Sequence, residues 1–246
     1  MIESNDKLLP QTINVIELRN YLLKPGTRDQ FINYFEEHLI HPQQGMNGYP
    51  VGQYTVKGYD DNFFWIRGFR NMEERSAFLP AFYYGDVWNE HRTIPNSMIL
   101  NNDNVHLLRP MILKDNEWIA SPIKILSIIP DEGIVVVDFF IANTKRKQLL
   151  EIFAKSYLPL LKKCGVDQYT LWTCEPEAND FPRLPVFQDK DLLVMITFYK
   201  DESTYDATAR NINSIMTEEL NADLHDAITI KNTLILYPTK NTMRQT

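Results

Sequence analysis

Charged and aromatic side chains alternate with apolar ones on the first strand-like segment, and this pattern could carry chemistry. Glu17, Arg19 and Tyr21 are two residues apart from one another, a spacing that puts their side chains on one face of a strand. A suitably placed carboxylate or imidazole can act as an acid or a base. Glu17 is therefore one catalytic candidate, and His91, on a short predicted helix with Trp88, is another.

Further strand-like segments repeat this arrangement. Because the predicted helices need an apolar face to cover, we expect the polar faces of the strands to line the inside of a barrel. An interior of aromatic rings with a few charges has the composition of a small-molecule pocket. By the same alternation, the shared faces hold Phe63, Trp65, Arg67 and Phe69 on the third strand, Asp138 and Phe140 on the fifth, and Thr170 and Trp172 on the sixth. The ligand-binding residues that we predict are Glu17, Arg19, Tyr21, Trp65, Arg67, Trp88, Trp172 and Arg183.

A structural role stands beside each of these functional interpretations. Glu17 and Arg19 could pair with charges on neighbouring strands and only make the barrel specific. Trp65 and Trp172 could be core residues. Arg183 follows Phe181-Pro182 and precedes Leu184-Pro185, so its stiff loop suits either a carboxylate or phosphate ligand or an ion pair at the barrel rim.

The histidines and cysteines give no metal or nucleophile prediction. His38 and His41 end a predicted helix, where the helix dipole favours a cation without any metal. We expect both cysteines to be free thiols in a reducing compartment, with Cys174 packed rather than reactive. We therefore predict no metal and no cofactor.

Composition excludes several classes of protein. A chain of 246 residues with 44% apolar residues and 23% charged residues is globular, and a formal charge of -7 argues against nucleic-acid binding. No apolar stretch approaches the about 18 residues of a membrane span. Nothing resembles a signal peptide, so we expect a cytoplasmic protein. Nucleotide-binding glycine loops, the hydrolase nucleophile elbow and the His-Glu-x-x-His helix are missing from the sequence.

The order of periodic segments predicts a duplicated α+β unit. In the first half we predict strands at 13–23, 52–59, 62–70 and 105–110, an acidic turn at Asp60-Asp61, and helices at 27–40, 71–82 and 87–92. In the second half we predict strands at 134–141, 167–174, 192–199 and 228–237 and helices at 145–164 and 202–219. Both halves follow the ferredoxin-like β-α-β-β-α-β order.

Two such units in one chain can cover each other. A four-stranded antiparallel sheet with helices on one face leaves its other face open, so we expect the two sheets to pack face to face as an intrachain α+β barrel. The predicted division is a first unit at 1–112, a linker at 113–132 and a second unit at 133–246. One chain is then sufficient, and we expect a monomer or a homodimer.

Three segments resemble the NIPSNAP family. They are Ile16 to Gly26 (IELRNYLLKPG), Glu175 to Val186 (EPEANDFPRLPV), and Trp88 to Arg92 with Val105 to Pro110. The resemblance implies the dimeric α+β barrel fold, whose members range from cofactor-free monooxygenases and isomerases to haem enzymes and plain binding proteins. The second half departs from the pattern, because its opening strand, Val135 to Phe140, lacks the Glu-Leu-Arg-x-Tyr signature.

Three functions remain open on the sequence alone. The first is binding of a small, partly aromatic or carbonyl-bearing ligand inside the barrel. The second is a cofactor-independent monooxygenase or isomerase, with Glu17 or His91 as the base and Arg67 or Arg183 stabilising an enolate. The third is an interaction scaffold whose core is filled by side chains. A large interior cavity would favour the first two functions over the scaffold, and a strongly raised pKa of Glu17 would favour the enzyme over the binding protein.

Overall fold

The computed structural model describes residues 10–125, 133–143, 146–240 and 242. The strands of the first half are β1 (Thr12–Ile13), β2 (Val15–Leu23), β3 (Tyr49–Val56), β4 (Tyr59–Phe69), β5 (Ile99–Asn101), β6 (Val105–Lys114), β7 (Glu117–Ala120) and β8 (Ile123–Lys124). Its helices are α1 (Arg28–His38), α2 (Ile40–Gly45), α3 (Met72–Tyr83), α4 (Asp86–His91) and α5 (Thr93–Met98).

The second half repeats the pattern of strands and helices. Its strands are β9 (Ile134–Ala142), β10 (Tyr169–Cys174), β11 (Leu192–Tyr199) and β12 (Ile228–Pro238). Its helices are α6 (Arg146–Ile152), α7 (Leu158–Lys163), α8 (Glu202–Ile215) and α9 (Glu218–Ala227), with a π-helical turn at Phe153–Tyr157 between α6 and α7. No helix in these described ranges is long and apolar enough to cross a membrane.

Eight strands close into one antiparallel barrel, which confirms the predicted fold. Around the barrel the order is β2, β4, β3, β12, β9, β11, β10 and β6, and β6 pairs with β2 to close the ring. Each half contributes four adjacent strands in the ferredoxin-like order. The two halves meet at β3 with β12 and at β10 with β6.

The face of the strands that points into the barrel is the apolar one, so the prediction of a polar interior is wrong. Ile16, Leu18, Phe64 and Ile66 belong to the interior cluster, together with Val135 and Val137 of the second half. An eight-stranded barrel is just wide enough for side chains to fill it, and aliphatic residues suit that space. The larger aromatic and charged face packs outward against the helices, which bring their own aromatic rings and polar partners.

Most predicted elements are present, and three differ. The β3–β4 hairpin turns at Lys57 and Gly58 rather than at Asp60-Asp61, because Gly58 supplies the required positive φ of 76°. The predicted helix at 202–219 is two helices, since Thr217 caps a new helix through the backbone N–H of Leu220. The π-helical turn precedes Pro159, which has no backbone N–H to continue a regular helix.

Part of the predicted linker is structured. Strand β7 pairs with β6, and β8 pairs with β1, which brings Ile13 and Ile125 into the interior cluster. Residues 126–132 of the linker and residues 144–145, where a helix is predicted to begin, lie outside the described residues. The division of the chain at 112 and 133 stays a prediction.

Candidate functional site

Glu17 is the centre of a fully buried charge cluster between the first-half sheet and its helices. Its Oε2 accepts hydrogen bonds from Arg67 Nη2 at 2.6 Å and Arg19 Nη1 at 2.8 Å. Its Oε1 accepts from Arg75 Nε at 2.9 Å. The strands dictate part of this geometry, because β2 and β4 pair Glu17 directly opposite Arg67 and alternation sets Arg19 on the same face.

The charges around Glu17 fix its protonation state. Burial alone would raise its pKa, but the positive charges of Arg67, Arg19 and Arg75 together hold the pKa of Glu17 well below its usual range. A carboxylate with so low a proton affinity is a poor base at neutral pH. The pKa of Glu17 is therefore shifted in the opposite direction to the one that would favour catalysis. The arrangement makes Glu17 a counter-ion for the three arginines.

A loop from the second half closes over this cluster. Arg75 Nη2 donates to Asn179 Oδ1 at 3.1 Å, and Arg75 Nη1 lies 3.6 Å from Asp180 Oδ1. The Asn179 amide donates to the backbone carbonyls of Phe181 and Leu184 at 3.3 and 2.9 Å. The Pro-rich loop is thereby anchored to helix α3 of the first half by its own side chains.

Two tyrosine hydroxyls extend the cluster toward open space. Tyr21 Oη accepts from Arg19 Nε at 2.9 Å, and Tyr83 Oη accepts from Arg67 Nη1 at 3.4 Å. Burial raises the pKa of Tyr21, with a smaller contribution from the nearby Tyr83, so its phenol keeps its proton at neutral pH. Within the described part of the chain no hydrogen bond uses either hydroxyl proton, so both can be donated to a ligand.

Tyr21 and Tyr83 line a cavity of about 190 Å³, here called the first-half cavity, which lies outside the barrel between the sheet and the helices. Trp65 also lines it, and the buried Nε1 of Trp65 has no hydrogen-bond partner among the described residues. The remaining lining residues are Phe31, Phe35, Leu39, Gln43, Phe82, Trp88, Pro95, Asn96, Ile99, Asn102, Arg183 and Leu184. The lining side chains Tyr21, Tyr83 and Trp65 thus each carry a hydrogen-bond donor, and among the described residues the lining contains no carboxylate.

Arg183 stands at this cavity from the second half of the chain. It is exposed, and its guanidinium lies over the ring of Tyr84, 5.4 Å from the ring centre. The neighbouring Phe181 packs against Tyr83, with 6.1 Å between ring centres. The stiff loop therefore presents a cation beside the cavity while its apolar residues pack on the helix below.

The predicted ligand-binding residues fall into three groups. Tyr21, Trp65, Trp88 and Arg183 line the first-half cavity, whereas Glu17, Arg19 and Arg67 form the charge cluster beside it. Trp172 is elsewhere: it lies inside the barrel, where its Nε1 donates to Thr170 Oγ1 at 2.9 Å. The members of the first two groups that lie on β2 and β4 share one face of the sheet, as alternation along each strand predicts, whereas Trp88 comes from α4 and Arg183 from the Pro-rich loop.

His91 does not reach the cavity. Its Nδ1 is 2.8 Å from Tyr34 Oη, and its ring stacks on His38 at 4.7 Å between centres. His41 contacts Gln44 instead. Among the described residues, no group of three or more histidine, cysteine or acidic side chains is arranged to hold a metal ion.

Several residues of the site were missed from the sequence. Arg75, Gln43 and Tyr83 come from helices, and Asn179 comes from a loop. Gln43 Oε1 accepts from Arg67 Nη1 at 3.1 Å, so it completes the cluster. An amphipathic helix facing a charged strand face does carry one signal, an arginine on the buried side of α3, where Arg75 lies among Phe78, Leu79 and Phe82.

Comparison with known proteins agrees with this architecture. Residues 16–112 match the NIPSNAP family model. No match was found among curated proteins.

Two solved structures match over nearly the whole chain. A candidate monooxygenase from Lactobacillus acidophilus NCFM is 12% identical, with a TM-score of 0.57, 92% of this chain covered and 94% of the other. A candidate monooxygenase from Fusobacterium nucleatum subsp. nucleatum ATCC 25586 is 11% identical, with a TM-score of 0.57 and 94% of each chain covered.

A third full-length match is a mutant chlorite dismutase from Candidatus Nitrospira defluvii. It is 10% identical, with a TM-score of 0.53, 96% of this chain covered and 95% of the other. At these identities the three structures share the fold with this chain.

Proposed function

We propose that the first-half cavity, most of whose lining lies in the region 16–112 that matches the NIPSNAP family model, binds a small planar ligand that carries a carboxylate or carbonyl oxygen. The observation that carries the proposal is the pair of tyrosine hydroxyls on residues that line the cavity, Tyr21 and Tyr83, whose protons have no acceptor among the described residues. A buried donor without a partner costs free energy. A carboxylate or carbonyl oxygen of a ligand can accept from these hydroxyls.

The charge balance around the cavity favours an anion or a polarised carbonyl. Three buried guanidinium groups share the single buried carboxylate of Glu17, and Asp180 beside Arg75 is 45% exposed. Arg19 and Arg67 each donate to one of the cavity tyrosines. A hydroxyl that accepts from a cation is a stronger donor, because charged and chained hydrogen bonds polarise one another.

The walls and volume restrict the ligand to a small ring. Aromatic side chains surround the cavity, and pockets for drug-sized ligands span roughly 300 to 1,000 Å³. A cavity of about 190 Å³ therefore suits a single-ring molecule. The proposed binding site is therefore the space between sheet and helices, and not the barrel interior that we expected from the sequence.

Calorimetric titration with three single-ring molecules of similar size and different charge tests this function. Benzoate is an anion, benzyl alcohol is neutral and benzylammonium is a cation. We expect benzoate to bind the first-half cavity, and Tyr21→Phe to weaken it about tenfold, which corresponds to one hydrogen bond to a charged group at about 1.4 kcal/mol. Tyr34→Phe, which removes a hydroxyl remote from the cavity, is the matched control. Equal affinities of wild type and Tyr21→Phe for benzoate would refute the proposal.

A second candidate function follows from the same donors. Hydroxyls aimed at a carbonyl oxygen also stabilise the enolate that forms when a neighbouring carbon loses a proton, as a cofactor-independent monooxygenase or isomerase requires. Glu17 is not the base, since its pKa is lowered, and among the described residues no carboxylate or histidine lines the cavity, so solvent water would take the proton from the carbon. The test is exchange of the methylene protons of phenylpyruvate with deuterated water, followed by NMR. Faster exchange with the wild type than with Tyr21→Phe would favour an enzyme. Equal exchange rates with and without protein would exclude this chemistry.

A further inference from the structure

A second cavity occupies the corresponding position in the other half of the chain. It has a volume of about 550 Å³ and lies between strands β9, β11 and β12 and helices α8 and α9. We call it the second-half cavity. Its volume is within the roughly 300 to 1,000 Å³ of small-molecule sites.

Strand pairing shows which residues of the two cavities correspond. Counted from the start of each opening strand, the third, fifth and seventh residues face outward: Glu17, Arg19 and Tyr21 on β2, and Val136, Asp138 and Phe140 on β9. Across the sheet, Glu17 pairs with Arg67. Its counterpart Val136 pairs with Thr197. The second half therefore has two uncharged residues where the first half has a buried ion pair.

The fifth position has reversed its charge. Arg19 in the first half corresponds to Asp138 in the second half, and Asp138 lines the second-half cavity with its side chain 12% exposed. Asp138 Oδ1 accepts from Thr233 Oγ1 at 2.5 Å and lies 3.9 Å from Lys231 Nζ. Across the described ranges, no hydrogen bond uses Oδ2. One carboxylate oxygen is thus unoccupied by the protein.

Aromatic rings surround this carboxylate. Phe140, Tyr157, Tyr199 and Tyr205 line the same cavity, and the Lys231 ammonium lies over the Phe140 ring, 5.4 Å from its centre. Lys231 is half exposed and reaches this place from the neighbouring strand. The Lys231 ammonium therefore lies between the Asp138 carboxylate and an aromatic face. A carboxylate and an aromatic face are the two features that attract an organic cation.

We propose that the second-half cavity binds a small organic ammonium ion with an apolar body, with Asp138 as its counter-ion and Lys231 as its internal competitor. The assignment rests on the cavity, the carboxylate oxygen with no partner and the aromatic walls. It does not depend on the function proposed for the first half, because the two cavities share no residue.

The pH dependence has a defined direction. Burial raises the pKa of Asp138, and Lys231 and Thr233 partly oppose this. The other titratable groups that line the cavity are Tyr157, Tyr199, Tyr205 and His225. Binding of an ammonium ion favours the ionised Asp138, so affinity should fall as pH decreases and Asp138 takes up its proton.

Benzylammonium, benzyl alcohol and benzoate distinguish this site from the first. We expect NMR titration of the full chain at pH 7.5 to show benzylammonium binding at the second-half cavity at least tenfold more tightly than benzyl alcohol. Asp138→Asn keeps the acceptor for Thr233 and removes the charge, so it should abolish that preference. Lys231→Gln should increase the affinity for benzylammonium at least threefold, because it removes the competing ammonium.

The first-half variant Tyr21→Phe is the matched control and should leave benzylammonium binding unchanged. Any one of three results would overturn the assignment. The wild type could show no preference for the cation, Asp138→Asn could retain that preference, or Lys231→Gln could bind benzylammonium no more tightly than wild type. Because Lys231 is half exposed, Lys231→Gln should fold and tests the assignment even if Asp138→Asn does not fold.

Discussion

Arg75 and Asn179 are joined by a 3.1 Å hydrogen bond although they lie 104 positions apart in the sequence. The same guanidinium donates to Glu17, so a single side chain connects the buried carboxylate of the first half to the Pro-rich loop of the second. The cavity next to that carboxylate is lined by residues of both halves, including Arg183 and Leu184 from this loop. The second half of the chain therefore contributes part of the wall of the first-half cavity.

Replacing Asn179 should loosen the loop. Asn179→Ala removes the acceptor for Arg75 and the donors to the carbonyls of Phe181 and Leu184, which leaves buried polar groups unpaired at about 1 to 3 kcal/mol. We expect faster amide hydrogen exchange at Leu184, whose N–H donates to Phe181 O, and weaker binding of benzoate. Asn211→Ala, on the exposed face of α8, is the control. Unchanged exchange at Leu184 would contradict the role given to Asn179.

Neutralising Glu17 should destabilise the whole chain. Glu17→Gln leaves three buried guanidinium groups without their shared counter-ion, and breaking a buried ion pair from one side costs about 3 to 5 kcal/mol. Urea unfolding measures this loss. The exposed Glu73 on α3 gives the control Glu73→Gln, which should have little effect. A loss below about 1 kcal/mol for Glu17→Gln would mean that the cluster tolerates its net positive charge.

Arg183 should act on binding and not on stability. It is exposed and reaches the first-half cavity from the rim, so Arg183→Ala should weaken benzoate binding several-fold, with a smaller effect at high salt because exposed charges are screened. Thermal unfolding should be unchanged. Arg210→Ala, which removes an exposed arginine from α8, should leave benzoate affinity unaltered. Equal effects of the two variants on benzoate affinity would show that Arg183 acts only through the net charge of the protein and not through its position at the cavity.

His106 should make stability depend on pH. Burial against Phe139 and Phe187 lowers the pKa of His106 to about 4, whereas an unfolded histidine has a pKa of about 6.5. The unfolded chain therefore takes up this proton first, and stability should fall as pH decreases from about 6.5 toward 4, by on the order of 1 to 3 kcal/mol.

Urea unfolding at several pH values in this window measures that slope. His106→Gln removes the titrating group, so its stability should vary less with pH than that of wild type. Parallel pH profiles for the two proteins would show that His106 is not the group responsible.

The sequence predicted the barrel better than it predicted the site. Turn-forming glycines and prolines, together with the strand and helix periodicities, located all eight strands of the barrel, because each is a local property of the chain. They missed the short elements α2, α5, β5, β7 and β8. Alternation also grouped Glu17, Arg19 and Tyr21 correctly on one face. It could not decide which face turns inward, since that depends on how the side chains of all eight strands pack together inside the barrel.

The site residues that the sequence analysis did not identify were missed for a similar reason. Arg75 on α3, Gln43 on α2 and Asn179 in the loop reach the site through tertiary packing that no local pattern records. The charge reversal from Arg19 to Asp138 becomes visible only when the strand pairs β2–β4 and β9–β11 are compared position by position.

A crystal structure of the protein soaked with benzoate tests the central claim most directly. We predict electron density for the ring in the first-half cavity, with the carboxylate within hydrogen-bond distance of the Tyr21 and Tyr83 hydroxyls. Benzoate inside the barrel among Ile16, Leu18 and Trp172, or a carboxylate that turns away from both tyrosines, would contradict it.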